Sequence, residues 1–594
     1  MLNKQDFWNG RCFDAWKWMG AHLTGDGVCF TVWAPSASRV ALIGECNNWQ
    51  EEPMTGKDGF FTLTSQTARE GQLYKYRIYG PDGTPKDHCD PYGFGMELRP
   101  GNCSIIRSLS HYTFGDADWM RRRQVGYDQP VQIYELHLGS WKTGPRGWYS
   151  YDQLARQLIP YLLEHHYTHV EFMPLTEYPY DGSWGYQVTG FFAPTARYGN
   201  PEQLMELIDR LHQAGIGVIL DFVPVHFAVD DYGLRMLDGT PLYEYPHPDV
   251  GENEWGSCNF LWDRGEVRSF LQSAANYWLT VYHLDGLRMD AVSRMLYWQG
   301  DENRGENRGA IEFLRQMNTG LKLRHPQVML IAEDSSAFPG VTHPAAEGGL
   351  GFDYKWDLGW MHDTLSFFQT PPAWRPDHYH KLTFSMLYFY QERYLLELSH
   401  DENVHGKATI LQKMHGDYDG KFPQARALYL YMTMHPGKKL LFMGSEMGQL
   451  REWDENREQD WMLLQYPIHD AFLRYMTELG GIYQAHTALH RDYEPGNFRW
   501  IDCHQESRCL YVMERLNGND RLAAVLNLLG EVQEGYTFQT TGSSCRLLLH
   551  TDWQRFHGTT PEDDSPFIVT TQNNVVSLTV DLPPFSGMLF QILP

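Results

Sequence analysis

The 594-residue chain lacks a paired cysteine framework: its nine cysteines are odd in number and widely spaced, and no C-x-x-C occurs. That pattern excludes a disulfide scaffold or a zinc ribbon and points to a reducing, cytoplasmic setting. No run is long and apolar enough to cross a bilayer, and Met1-Leu2-Asn3-Lys4 opens no signal peptide, so neither membrane insertion nor export is expected. Positive charge is in deficit, 49 Lys and Arg against 74 Asp and Glu, for a net charge of −25. So acidic a chain repels phosphate backbones and anionic lipid, which makes nucleic acid and membrane poor partners and leaves a neutral polymer compatible. The acidity has no tail or block and serves solubility. There is no phosphate-cradling P-loop and no EF-hand, and nothing implies a cofactor or a metal. Repeats, low-complexity runs and long linkers are also lacking.

Aromatic residues are plentiful, with 20 Trp and 35 Tyr. Their rings suit the flat C–H faces of sugars, although they equally fill cores. At the N-terminal end, Phe30–Trp33, Arg39–Ile43 and Gln72–Ile78 read as short strands separated by turns, hence a β-sandwich over residues 1–110. From Val131 the pattern changes. Apolar strands at 131–136, 169–173, 217–223, 284–290, 329–333, 394–399 and 439–443 are interspersed with helical stretches. Ser150 and Gln153 form a capping box, Leu204, Leu207, Ile208 and Leu211 mark one helix face, and 270–282 is a further helix. Strands alternating with helices over more than 300 residues favour an α/β fold, a closed (β/α)8 TIM barrel, over residues 111–490. Strand-rich runs at 509–513, 522–526 and 575–578 then mark a C-terminal all-β domain, a second β-sandwich, over 491–594.

Several barrel strands end in polar groups: Asp221 with His226, Arg288 with Asp290, Glu333, and His400 with Asp401. In such a barrel the C-terminal strand ends converge on one rim, so Asp290, Glu333 and Asp401 meet despite their distance in sequence. Three carboxylates with an Arg and two His suit glycosidic chemistry, in which a retaining cut uses a carboxylate nucleophile and a carboxylic-acid proton donor about 5–5.5 Å apart. Each residue alone also has a plainer explanation. Asp290 can pair with Arg288, the acids after Glu333 can cap a helix, residues 399–403 can form a turn, and His226 can be a satisfied core histidine. Their order and their common placement at strand ends make coincidence improbable.

The segments Asp221-Phe222-Val223-Pro224-Val225-His226, Gly286–Val292, Ala332–Ser336 and Ser399–Glu402 resemble the ordered motifs of the alpha-amylase superfamily. Tyr134–Trp141, Asp181–Gln187, Tyr354–Asp363, Asp401–Lys407 and Leu441–Glu446 narrow the resemblance to glycogen branching enzymes. Phe30–Ile43, Trp49 and Asp90-Pro91-Tyr92 are similar to the glucan-binding sandwich that precedes the barrel there. A monomer is expected, and the resemblance implies a transferase acting on α-1,4-glucans such as glycogen, amylose or amylopectin-like chains. It makes Asp290 the nucleophile, Glu333 the general acid and later base, and Asp401 the transition-state stabiliser. Tyr186 would stack under a donor sugar, His226, His400 and Arg288 would hold hydroxyls or orient Asp290, and Asp221 would brace the site. Departures are Val225 for a usual Gly, Asn403 for a usual apolar residue, a short segment between Met295 and Ile311, and one N-terminal sandwich where some relatives carry two. Two other readings stay open. One is a hydrolase of the same superfamily, an amylase, debranching or trehalose-releasing enzyme. The other is a non-catalytic glucan-binding scaffold, which loss of an acid would have marked. Hydrolysis and transfer share the glycosyl-enzyme and differ in the attacking hydroxyl, so the choice of transfer rests on the resemblance.

Overall fold

The computed structural model describes residues 4–145, 147–562 and 567–594. The chain forms two compact units, Met1–Gln124 with His137–Ile159 and Glu171–Asp353, and Val125–Leu136 with Pro160–Val170 and Tyr354–Pro594. Eight parallel strands close a barrel in sequential order: β1 (Gln132–Leu136), β2 (His169–Phe172), β3 (Gly217–Phe222), β4 (Gly286–Met289), β5 (Met329–Ala332), β6 (Tyr354–Trp356), β7 (Tyr394–Leu398) and β8 (Lys438–Phe442). The buried apolar runs at 131–136, 169–173, 217–223, 284–290, 329–333, 394–399 and 439–443 supply seven of these strands, as expected of a parallel sheet covered on both faces. The sixth escapes that reading because it is three residues long with Lys355 at its centre.

Local signals set the helices. In α1 (Tyr151–Glu164), the Ser150 Oγ accepts from the Gln153 N–H at 3.3 Å and the Gln153 side chain accepts from the Ser150 N–H at 3.0 Å. Asn200 and Gln203 repeat the device at α2 (Pro201–Gln213), and the chain turns away at Gly215 with φ 83°. α3 (Gly265–Val281) carries a polar row toward the N-terminal segment: Gln272 donates to the Gly10 carbonyl and Asn276 to that of Phe13, each at 2.8 Å. Between β5 and β6 the described chain has only a short 3-10 turn, Ala345–Glu347.

In the first unit, the N-terminal sandwich pairs the sheet of Gly20–Thr24, Gly27–Trp33, Phe60–Ser65 and Thr55–Lys57 with that of Glu52–Pro53, Arg39–Gly44, Leu73–Tyr79 and Pro85–His88. Leu73–Tyr79 alternates buried and half-buried side chains along its length, the half-buried pattern its sequence shows. Tyr74 and Tyr76 both donate to the buried Asp90, at 2.8 and 2.9 Å, and burial still lifts that carboxyl to about 6. The sandwich is seated on barrel segments of its own unit. Tyr92 stacks on Phe192 at 4.7 Å, and the Ser36 N–H donates to Asp238 at 2.8 Å.

In the second unit, Phe498–Gln505, Leu510–Asn517, Asp520–Asn527, Ser586–Leu593 and Ser544–His550 form a five-stranded sheet over a three-stranded one, Gln533–Thr541, Val575–Leu582 and Phe567–Gln572. One face of the larger sheet buries Val512, Val525 and Phe590 against Phe538 and Leu578. The other buries Tyr511, Leu526 and Leu589 against Leu428, Tyr431 and Phe472, which belong to α4 (Tyr418–Met434) and α5 (Pro467–Ala485). The buried Asp492 pairs there with Arg515 at 2.8 Å and Lys438 at 2.9 Å.

A buried charge hub fixes the start of β4. Asp285 accepts from the Val218 N–H at 2.7 Å and contacts His212 Nε2 at 2.9 Å, while His212 Nδ1 lies 2.8 Å from Asp116. Burial opposes the imidazolium, but Asp285 and Asp116 outweigh it and raise His212 to about 9. Burial likewise opposes the Asp285 carboxylate, and His212 with Arg123 brings it down to about 2. Because the folded His212 value exceeds the ordinary 6.5, its stabilisation is complete below pH 6.5 and is lost as pH rises through 9. The expected outcome for His212→Asn is a loss of about 3–5 kcal/mol at pH 6 in urea unfolding. That gap to wild type should shrink toward pH 9.5, and a gap independent of pH would contradict a charged His212.

Candidate active site

The site is assembled from strand ends. In β3 and β4 the register sets Asp221 beside Arg288, and in β4 and β5 it sets Arg288 beside Ile331. The main chain continues this pairing past the strands: the Asp290 N–H donates to the Phe222 carbonyl and the Glu333 N–H to the Met289 carbonyl, both at 3.1 Å. Asp221, Asp290 and Glu333 are thereby carried to one rim at successive strand ends.

Arg288 holds them together. Its side chain is wholly buried, and its guanidinium donates to Asp221 at 2.6 Å, to Asp290 at 3.0 Å and to Glu333 at 2.8 Å. Burial opposes its charge, and Asp221 and then Glu333 more than compensate, raising it well above the ordinary arginine value. The Asp221 side chain is fully buried, whereas those of Asp290 and Glu333 keep 15% and 20% exposure, enough to face a ligand. Tyr186, half-buried, donates its hydroxyl to Asp221 at 2.5 Å.

Backbone strain locks the Asp290 corner. Ala291 adopts φ 47° and ψ 45°, a left-handed conformation costly for a residue with a Cβ. Its N–H donates to Glu333 Oε2 at 2.9 Å, and the Val292 N–H donates to the Glu333 carbonyl at 2.8 Å. Both hydrogen bonds to the Glu333 side chain fall on Oε2, so Oε1 is the oxygen left to meet a substrate.

His226 is held differently from its expected role. Its Nε2 donates to the Tyr186 carbonyl at 3.0 Å, and its Nδ1 accepts from Asn253 at 2.9 Å. Burial lowers it to about 4, so the ring is neutral with the proton on Nε2. With both nitrogens engaged, His226 shapes the loop that carries Tyr186. Asn253 was not singled out in the sequence, where one Asn in a polar loop gives no signal.

In the second unit, Asp401 sits three residues beyond β7 in a short 3-10 turn, with its side chain 45% exposed. The adjacent His400 is buried. Its N–H donates to Glu135 Oε2 at 2.9 Å, and its Nδ1 lies 2.5 Å from Glu135 Oε1. Its Nε2 is 3.6 Å from Asp401 Oδ1. Glu135, fully buried in β1, is a residue that sequence reasoning missed as a site member; a charge inside the apolar run 131–136 was its signal. Asn403, where an apolar residue is usual, closes the turn. Its amide donates to the Ser399 carbonyl at 2.8 Å, and its own carbonyl accepts from the Trp453 N–H at 2.9 Å.

Three family models match the chain: carbohydrate-binding module 48 (isoamylase N-terminal domain) over residues 18–93, the alpha amylase catalytic domain over 155–233 and 255–520, and the alpha amylase C-terminal all-beta domain over 500–592. Among solved structures, a pullulanase from Anoxybacillus complexed with maltotetraose has a TM-score of 0.76 at 17% identity, covering 99% of this chain and 89% of that one. A putative alpha amylase from Salmonella typhimurium has a TM-score of 0.71 at 19% identity, covering 97% and 99%. At such identities these two share the fold. The 1,4-alpha-glucan branching enzyme GlgB of Bacillus caldolyticus is 44% identical over 568 residues, 93% of this chain and 85% of that protein. The protein of the same name from Halothermothrix orenii is 42% identical over 615 aligned residues, 99% and 98%.

The geometry yields a prediction. Arg288→Met leaves three adjacent carboxylates, one of them fully buried, without their shared cation and should cost about 3–5 kcal/mol in urea unfolding at pH 7. The cost should fall on acidification toward pH 4, as protonation relieves the repulsion. A variant equally destabilised at both values would deny Arg288 this role. By the extent and level of these matches the chain belongs to the GlgB family of 1,4-alpha-glucan branching enzymes, within the alpha-amylase superfamily.

Proposed function

We propose that the protein cuts an α-1,4-glucan with retention and rejoins the fragment to a glucan 6-hydroxyl, forming an α-1,6 branch. The observation that carries the mechanism is the single buried guanidinium shared by Asp221, Asp290 and Glu333. Asp290 attacks the anomeric carbon as the bond to the leaving O4 breaks, giving a β-glucosyl-enzyme. Glu333 delivers its proton to O4, and Oε1 is the oxygen that carries it, because Oε2 already accepts two N–H bonds. In the second step Glu333 takes the proton of the acceptor 6-hydroxyl while its oxygen attacks the same carbon and releases Asp290. Asp401, which follows β7 and is backed by His400 and Glu135, is assigned to bind sugar hydroxyls in the distorted transition state.

Tyr186 supplies an aromatic face to the donor sugar, with its hydroxyl pinned by Asp221. Asp221 acts through Arg288 and Tyr186 without touching the sugar. We set the domain limits at 1–110, 111–490 and 491–594, a reading supported by the change from strands to alternating strands and helices and back. Work on a cytoplasmic glucan suits nine free cysteines, and no helix among the described residues is long and apolar enough to cross a membrane.

The test is incubation with amylose while iodine colour, reducing ends and isoamylase-released chains are followed together. Falling colour with constant reducing ends and new debranchable chains is expected. Rising reducing ends without new branches would instead make this a hydrolase. Asp290→Ala and Glu333→Gln should each lower turnover by at least about 10³-fold while the thermal midpoint stays within a few degrees. Near-normal turnover by either variant would overturn its assigned role.

A further inference from the structure

Beside the catalytic strand ends, and within the same unit, Trp255 is held in a fixed pose while 44% of it stays exposed. Its N–H donates to Asn253 Oδ1 at 3.1 Å, and its carbonyl accepts from Gln187 at 3.0 Å. The indole meets the His226 ring edge-on, with centroids 5.3 Å apart and planes at 80°. The Arg294 guanidinium lies 5.0 Å from the indole centroid and is itself tethered to Glu254 and to the Gln299 carbonyl. Gln299 belongs to the short segment between Met295 and Ile311. It takes a left-handed φ of 56°, and its amide donates to the Asp249 and Glu252 carbonyls at 2.9 and 2.7 Å. The segment therefore buttresses the loop that presents Trp255.

An indole capped on one face by a cation and braced along an edge has little rotamer freedom left to lose. Its remaining apolar face stays in water, an arrangement that favours capture of a flat apolar partner without an ordering cost. His226 links this ring to Tyr186, since its Nε2 bonds the Tyr186 carbonyl while its ring abuts the indole. We propose that Trp255 is a second stacking platform for a glucosyl unit of the glucan, one that sets substrate affinity and the length of chain transferred, with Arg294 and Gln299 as its positioning residues. The proposal rests on the glucan reading above. A neutral sugar fits better than an anion, because the neighbouring Glu254 already neutralises Arg294.

Three variants test it. Trp255→Ala should raise KM for amylose roughly three- to tenfold, leave kcat within about twofold, and shift the length profile of isoamylase-released chains. Trp255→Phe, which keeps a stacking face, should restore most of the KM, and Arg294→Gln should give a smaller rise of the same kind. Thermal midpoints are measured alongside. Unchanged KM and an unchanged chain profile in a folded Trp255→Ala protein would overturn the proposal, as would a Phe variant no better than Ala. Failure of the glucan-transfer reading would show separately, as rising reducing ends in the wild-type reaction, and the KM comparison could still be made on that hydrolysis.

Discussion

A guanidinium buried without solvent is costly unless its charge is met, and Arg288 meets it through both terminal nitrogens with acids from three consecutive strand ends. The dependence is mutual. Asp221, Asp290 and Glu333 could not crowd together without that cation, and the cation could not lie there without them. The packing that brings β3, β4 and β5 together is thus tied to the chemistry it serves. Their register is fixed by buried apolar residues at each strand, and a slip of one residue would turn Arg288 out of the barrel.

The same principle is used again at β7. His400 is aimed by Glu135, a carboxylate buried in β1, through one bond from its ring and another from its main-chain N–H. Two bonds to one carboxylate fix both the ring and the turn. Asp401, next in sequence, then projects into solvent from a rigid corner. Strain contributes at Ala291, where the left-handed backbone is retained because its N–H is claimed by Glu333. Pre-organisation of this kind matters for a reaction in which charge develops at one carbon, since dipoles already in place need no reorganisation.

Much of this was legible in the residues. The barrel strands are buried apolar runs, and polar groups placed at the ends of such runs have few structural reasons to be there. Seven strands, the capping box of α1 and the polar residues at the strand ends are all local signals. What escaped reading is non-local or short. The three-residue β6 has no periodicity to detect, and Gln533–Thr541 carries only Tyr536 and Phe538 as large apolar residues among polar ones. Glu135 reads as a lone charge until a partner from β7, 265 residues away, is found beside it. The neutral state of His226 follows from its burial, and its tautomer from Asn253 and the Tyr186 carbonyl, contacts made only when loops after different strands meet.

The shape of the site also separates what is fixed from what is adjustable. The acids and Arg288 sit on strands or within three residues of them, where a change of loop length cannot move them far. Tyr186, Asn253, Trp255 and Gln299 sit on the rim loops, tied to one another by side chain to main chain bonds. In the proposed mechanism cleavage, the step that hydrolysis and transfer share, belongs to the strand ends. Which hydroxyl then attacks, and how long a chain is carried to it, depends on how the rim holds glucan against water. The segment between Met295 and Ile311 braces the Trp255 loop through Gln299, so the rim can be shaped there without altering the strand ends that carry the acids.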